Sequence, residues 1–116
     1  MSKVTIYHNP RCSKSRQTLA LLEERGVELT VVEYLKNPPT AAELRGLLNK
    51  LGLAAKDLVR RSEAVYKELG LADRLDDDDA LVEAMAEHPT LIERPIVVVG
   101  QKARLGRPPE QVLEVL

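Results

Sequence analysis

The chain has 116 residues, a net charge of −1, one cysteine, three tyrosines and no Phe or Trp. That length fits one domain, able to bury roughly 65% of its unfolded surface without a disulfide or structural metal. The lone cysteine excludes an internal disulfide, no Cys/His cluster suggests zinc, and the charge balance argues against general nucleic-acid binding.

The first residues, Met1-Ser2-Lys3-Val4, run into a strand pattern and lack the long apolar segment of a secretory signal. No apolar run reaches the roughly eighteen residues of a membrane span. A cytoplasmic protein is the expectation, and a lone exposed thiol is easily kept reduced there. With so few aromatics, the core must come from Leu, Val, Ile and Ala.

Val4, Ile6 and His8 alternate with Thr5 and Tyr7, which predicts a first strand. A helical pattern starts near Ser15 and is clearest over 17–25, with Leu19, Ala20 and Leu22 on or near one face and Gly26 as a left-handed cap. The β-branched stretch 27–34 predicts a second strand. Asn37-Pro38-Pro39 breaks the chain, and Thr40-Ala41-Ala42-Glu43 is a capping box. Leu44, Leu47, Leu48 and Leu51 then form a helical stripe closed by Gly52.

One or two short helices are predicted over 55–70, with Leu58, Val65 and Leu69. The acidic run Asp76-Asp77-Asp78-Asp79 suits the N-terminus of a helix over 80–87, stopped by Pro89; its spacing matches no ordinary calcium loop. His88 suits the C-terminal end of that helix. Ile96 to Val99 read as a buried strand, Gly100-Gln101-Lys102 as a hairpin loop and 103–106 as the return strand. A terminal helix begins with Pro108 or Pro109 in its first turn and Glu110 nearby, its apolar face made of Val112, Leu113 and Leu116.

The order is βαβ, a helical block, then ββα. It predicts an α/β domain with one mixed sheet. A core of 1–36 and 90–116 would carry an inserted helical block at 37–89. A thiol just after the first strand makes the layout thioredoxin-like.

That thiol is Cys12, in Tyr7-His8-Asn9-Pro10-Arg11-Cys12-Ser13-Lys14-Ser15-Arg16. A free cysteine is ordinarily a small, inert, buried hydrophobe. This one stands among polar and cationic residues at a strand-to-helix turn. Backbone N–H groups, the helix dipole and the charges of Arg11, Lys14 and Arg16 all favour thiolate there. His8, ending the first strand, either supports the thiolate or caps a loop. There is no Asp or Glu from Met1 to Leu22, nor from Arg94 to Pro109. The second of these segments carries Arg94, Lys102, Arg104 and Arg107, so the two stretches either converge on a small anion or form separate solvated faces.

Thioredoxin-type exchange needs C-x-x-C, but Ser15 stands at the second position. Ser15 can hydrogen-bond a thiolate but cannot form a disulfide, so an oxidised Cys12 needs a thiol from another molecule. Cysteine phosphatases, and the arsenate reductases built on their fold, carry Arg six positions after the cysteine; here that residue is Thr18. A Cys–His protease pair with His8 or His88 has no supporting motif.

The Cys12 decapeptide, Tyr34-Leu35 with Asn37-Pro38-Pro39, Arg60 followed by Tyr66, Glu93-Arg94-Pro95-Ile96-Val97-Val98 and Gly106-Arg107-Pro108 together resemble the ArsC family, the glutaredoxin-coupled arsenate reductases. The resemblance spans essentially the whole chain. It implies a thioredoxin-like fold, Cys12 as nucleophile, and Arg60, Arg94 and Arg107 around the oxyanion; His8, Ser15 and Arg16 are supporting candidates from the residues around the thiol. Guanidinium groups offer planar, permanently charged donors to such oxygens. Pro95 resembles the family's cis-proline beside the thiol.

The same resemblance implies arsenate or a related oxyanion as substrate. It implies glutathione as co-substrate, glutaredoxin as partner and no tightly bound cofactor or metal. The chain is similar to a compact subgroup, shorter than the larger reductases of the family. Two other roles share this fold: an Spx-like regulator binding RNA polymerase, which commonly uses the C-x-x-C that is missing here, and a glutathione-dependent thiol reductase acting on another substrate.

Overall fold

The computed structural model describes residues 3–116. Met1 and Ser2, on which the expected leader-free start partly rests, lie outside them. Two compact units divide the chain: Met1–Asn37 with Arg94–Leu116, and Pro38–Glu93.

The first unit holds β1 (Lys3–His8), α1 (Ser13–Glu24), β2 (Glu28–Glu33), β3 (Ile96–Val99), β4 (Lys102–Leu105) and a 3-10 helix over Pro109–Val115. Among the described residues, the strands form one sheet in the order β2-β1-β3-β4. β1 runs parallel to β2 and antiparallel to β3, and β3 runs antiparallel to β4. This is the predicted thioredoxin-like mixed sheet. Strand register brings Val4 opposite Leu29 and Val99, and Ile6 opposite Val97. Val4, Ile6, Leu22, Val97, Val112 and Val115 form a buried aliphatic cluster on this sheet.

Three local expectations are corrected. Helix α1 starts at Ser13, with Cys12 as its N-cap, rather than near Ser15. Its buried residues are Ser15, Thr18 and Leu22, while Ala20 is exposed. Polar side chains can occupy the buried face near the thiol because each has a hydrogen-bond partner there.

In the hairpin, Val99 pairs with Lys102. The loop is therefore Gly100-Gln101 alone, with Gly100 at φ +60, a conformation suited to glycine. The return strand consequently ends at Leu105 and leaves Gly106 outside it.

The terminal element is a 3-10 helix with Pro109 in its first turn. Three residues per turn align Pro109, Val112 and Val115, and these are the buried positions. Leu116, expected inward from α-helical spacing, is 42% exposed.

The second unit is helical: α2 (Ala41–Leu51), α3 (Ala55–Leu58), α4 (Ala64–Glu68), a 3-10 turn over Leu71–Arg74, α5 (Asp78–Glu87) and a 3-10 turn over Pro89–Leu91. The capping box closes in both directions. Glu43 N–H donates to Thr40 Oγ1, and Thr40 N–H donates to Glu43 Oε1, each at 3.1 Å. Leu44, Leu47, Leu48 and Leu51 are buried, and Gly52 ends the helix at φ +69.

The acidic run caps α5, with Asp77 Oδ1 accepting from Ala80 N–H at 3.1 Å. His88 is the C-cap of α5. Among the described residues no His/Cys/Asp/Glu group suited to a metal ion is present, and no helix is long and apolar enough to cross a membrane.

The 3-10 geometry makes a packing prediction. Val115→Ala should lower the unfolding free energy by about 1.5 kcal/mol, the cost of deleting buried methyl groups. Leu116→Ala should change it by less than about 0.5 kcal/mol. Urea titration of both variants checks the order; the reverse order would restore α-helical spacing.

Candidate active site

The segment between β1 and α1 is shaped by its own polar groups. Asn9 Oδ1 accepts from Arg11 N–H at 3.0 Å, and Asn9 carbonyl accepts from Cys12 N–H at 3.0 Å. These bonds turn the chain so that Cys12 arrives extended, at φ −96 and ψ 123, where its carbonyl accepts the first helical bond from Arg16 N–H. Arg16 Nη1 reaches back to the Pro10 carbonyl at 2.9 Å and braces the same loop.

An N-cap side chain faces the unsatisfied amides of the first helical turn. At this position a Ser or Asp oxygen would take one of those amides; here the atom is sulfur. No cap hydrogen bond of ordinary geometry closes. The amides nevertheless act on the charge. Burial pushes the thiol up, but the Ser15 N–H, the Arg94 guanidinium (by hydrogen bond and by charge) and the Lys14 N–H outweigh it. The net result is a pKa below the ordinary thiol value.

The two arginines sit together at the open end of the β3–β4 hairpin. Arg94 precedes β3 and Arg107 follows β4. Arg107 Nη2 lies 3.6 Å from Cys12 Sγ, and its Nε donates to the Arg94 carbonyl at 2.8 Å. Arg94 lowers the thiol's pKa by hydrogen bond and charge, and Arg107 brings an N–H donor to the sulfur. The Arg94–Pro95 peptide bond is cis, and so is Arg107–Pro108, for which the sequence offered no signal. Pro95 is buried.

The supporting residues also bond one another. His8 Nδ1 lies 2.6 Å from Ser15 Oγ, and Asn9 N–H donates to the same oxygen at 3.0 Å. The Ser15 hydroxyl thus serves the end of β1, and it is the backbone amide of Ser15 that serves the sulfur. His8 is buried; that burial lowers its pKa, Glu33 opposes the shift and Arg16 adds to it.

Of the other cations in the acid-free segment, Lys102 is exposed and Arg104 pairs with Glu114 at 3.1 Å. Arg60 belongs to the second unit. There the Val59–Ile92 bridge sets it beside Glu93, with Nη1 at 2.7 Å from Glu93 Oε1 and Nε at 3.4 Å from Glu63 Oε2. Asn9 was absent from the sequence-derived candidates, although Asn-Pro directly after a strand is a turn signal.

An open groove lies within the second unit, lined by Lys56, Asp57, Arg61, Asp73, Arg74 and Asp77 among others. Two of its carboxylates, Asp57 and Asp77, are committed to helix caps, and it contains no thiol. The candidate chemistry therefore concentrates at Cys12 rather than in this groove.

Two measurements test this electrostatic picture. Iodoacetamide alkylation of Cys12 should rise with pH to a midpoint below the ordinary thiol range, because a lowered pKa keeps thiolate present at lower pH; a midpoint at or above that range would remove the thiolate. For His8 the sign is also set. Its folded pKa lies below the ordinary 6.5, so its contribution to stability is complete above that value and is lost as pH falls below it. Wild type should lose urea resistance relative to His8→Gln below that pH, and parallel curves would contradict the buried neutral ring.

The model of the ArsC family matches residues 7–115. The uncharacterised protein YfgD of Escherichia coli K12 is 59% identical over 115 residues, covering 98% of this chain and 97% of that one. An arsenate reductase of Neisseria meningitidis serogroup A is 53% identical over 117 residues, covering all of both chains. The solved structure of an arsenate reductase from Vibrio cholerae superposes with a TM-score of 0.95 at 57% identity, covering 99% of this chain and 98% of that one. With a thiol at the head of α1, two arginines beside it and a family match over almost its full length, this chain belongs to the ArsC family.

Proposed function

We propose that this protein reduces arsenate to arsenite, with Cys12 as nucleophile. The observation that carries the reading is the Arg107 guanidinium 3.6 Å from Cys12 Sγ, tied to the Arg94 carbonyl, at the start of a helix. Such a cradle binds a tetrahedral oxyanion through charged donors and helix amides, and keeps the attacking sulfur anionic. Arg60 enters as the third arginine that the family resemblance implies. The names of relatives agree: proteins at 53% and 47% identity are arsenate reductases.

Cys12 thiolate forms an S–As bond, and one arsenate oxygen leaves as hydroxide, taking up a proton to become water. Glutathione thiolate displaces a second oxygen, giving an arsenic(V) centre bound by two sulfurs. Glutaredoxin thiolate then attacks the glutathione sulfur. The S–As bond to glutathione breaks with its electron pair moving to arsenic, which becomes arsenic(III). Glutathione and glutaredoxin leave as a mixed disulfide, and water releases arsenite from Cys12. Two thiols are oxidised and one arsenic is reduced by two electrons. A chain with one cysteine cannot supply the second thiol itself, which is why the reading requires outside thiols.

Purified protein supplied with arsenate, glutathione and glutaredoxin should form arsenite, and omission of any one should stop it. Cys12→Ser should abolish turnover. Arg94→Ala and Arg107→Ala should each lower kcat/KM by about 10²-fold, the scale of a lost oxyanion donor. Turnover in Cys12→Ser, or unchanged kinetics in both arginine variants, would refute the site. Reduction of organic disulfides without arsenate reduction would retain the thiol and reassign the substrate.

A further inference from the structure

Gly106 sits at a crossing point of the first unit. It is buried, it directly precedes Arg107, and its N–H donates to the Pro95 carbonyl at 3.0 Å. Its backbone does not adopt the left-handed conformation that would itself demand glycine. Space demands it. A Cβ here would fall 2.7 Å from Pro95 Cγ and 3.2 Å from Thr18 Cγ2, and closer still to Thr18 Oγ1.

Neither neighbour yields easily. Thr18 is fully buried in α1, and its Oγ1 donates to the Lys14 carbonyl at 2.8 Å, which holds its rotamer. Pro95 is a buried ring in the peptide unit next to Arg94. An added methyl must therefore move the backbone at Gly106 away from α1, and Arg107 moves with it.

We propose that Gly106 is a positioning residue: the missing side chain lets the segment after β4 close onto Thr18 and Pro95, and that closure sets how near Arg94 and Arg107 stand to the Cys12 sulfur. Three contacts converge on this function. Thr18 lies on the helix that Cys12 caps, Pro95 adjoins Arg94, and Arg107 links the two by bonding the Arg94 carbonyl and reaching the sulfur. The inference rests on reading Cys12, Arg94 and Arg107 as the working site. Its readout is the sulfur itself, so it stands or falls separately from arsenate turnover.

The test is iodoacetamide alkylation of Cys12 against pH. Gly106→Ala should raise the midpoint by about one pH unit, the scale of a weakened charged hydrogen bond. The same substitution should add little in an Arg94→Ala/Arg107→Ala background, where there is no guanidinium left to misplace. Thr18→Ala combined with Gly106→Ala removes the Thr18 side of the crowding but not the Pro95 contact, and should return the midpoint part of the way to wild type. That variant also carries the test if Gly106→Ala alone fails to fold. An unshifted midpoint in Gly106→Ala, an equal shift with and without the arginines, or a Thr18→Ala/Gly106→Ala midpoint fully displaced would overturn the proposal.

Discussion

A thiol's pKa falls only where the charge of its anion is met, and the arrangement around Cys12 does this from two directions. Helix α1 presents the Ser15 and Lys14 amides from one side, and the hairpin delivers the Arg94 and Arg107 guanidinium groups from the other. Burial works against the charge, as it does for any anion moved out of water. That opposition makes the positioning consequential: if the donors retreat, the same burial returns the thiol to its neutral form.

The donors are held by a polar scaffold rather than by apolar packing alone. His8, Asn9, Ser15 and Thr18 are the buried polar side chains of this region, and each has a hydrogen-bond partner. Asn9 shapes the turn, Ser15 ties the end of β1 to α1, and Thr18 bonds its own helix one turn back. A satisfied buried network of this kind specifies one loop conformation, whereas an unsatisfied one would destabilise it. The aliphatic cluster of Val4, Ile6, Leu22, Val97, Val112 and Val115 supplies the rigid sheet and helix on which this network rests.

The second unit is built on a different principle. Its helices are set by explicit end signals: the Thr40–Glu43 box, Gly52 and the Asp77 cap. Its leucine stripe on α2 is buried as the spacing requires. There Arg60 is flanked by the carboxylates of Glu93 and Glu63, so its charge is matched within the unit.

Much of this was legible in the chain by itself because it depends on neighbours close in sequence. Residue alternation marked β1, β-branched and apolar runs marked β2 and β3, the capping box marked α2, and a cysteine among cations at a strand-to-helix turn marked the candidate thiol. Other features depended on partners that local pattern does not name. Arg107 and Cys12 are 95 positions apart, and only pairing of β3 with β1 and β4 brings them together. Tertiary structure alone separated Arg94 and Arg107 from Lys102 and Arg104, which share the same acid-free segment. It turned the Ser15 hydroxyl toward His8, chose 3-10 over α spacing and so buried Val115 instead of Leu116, and gave Gly106 its reason in space rather than in backbone angle. Sequence marked most of the elements and the candidate sulfur, because those follow from short-range sterics and hydrogen bonding. The fold decided which distant groups surround that atom, because convergence is a property of packing in three dimensions.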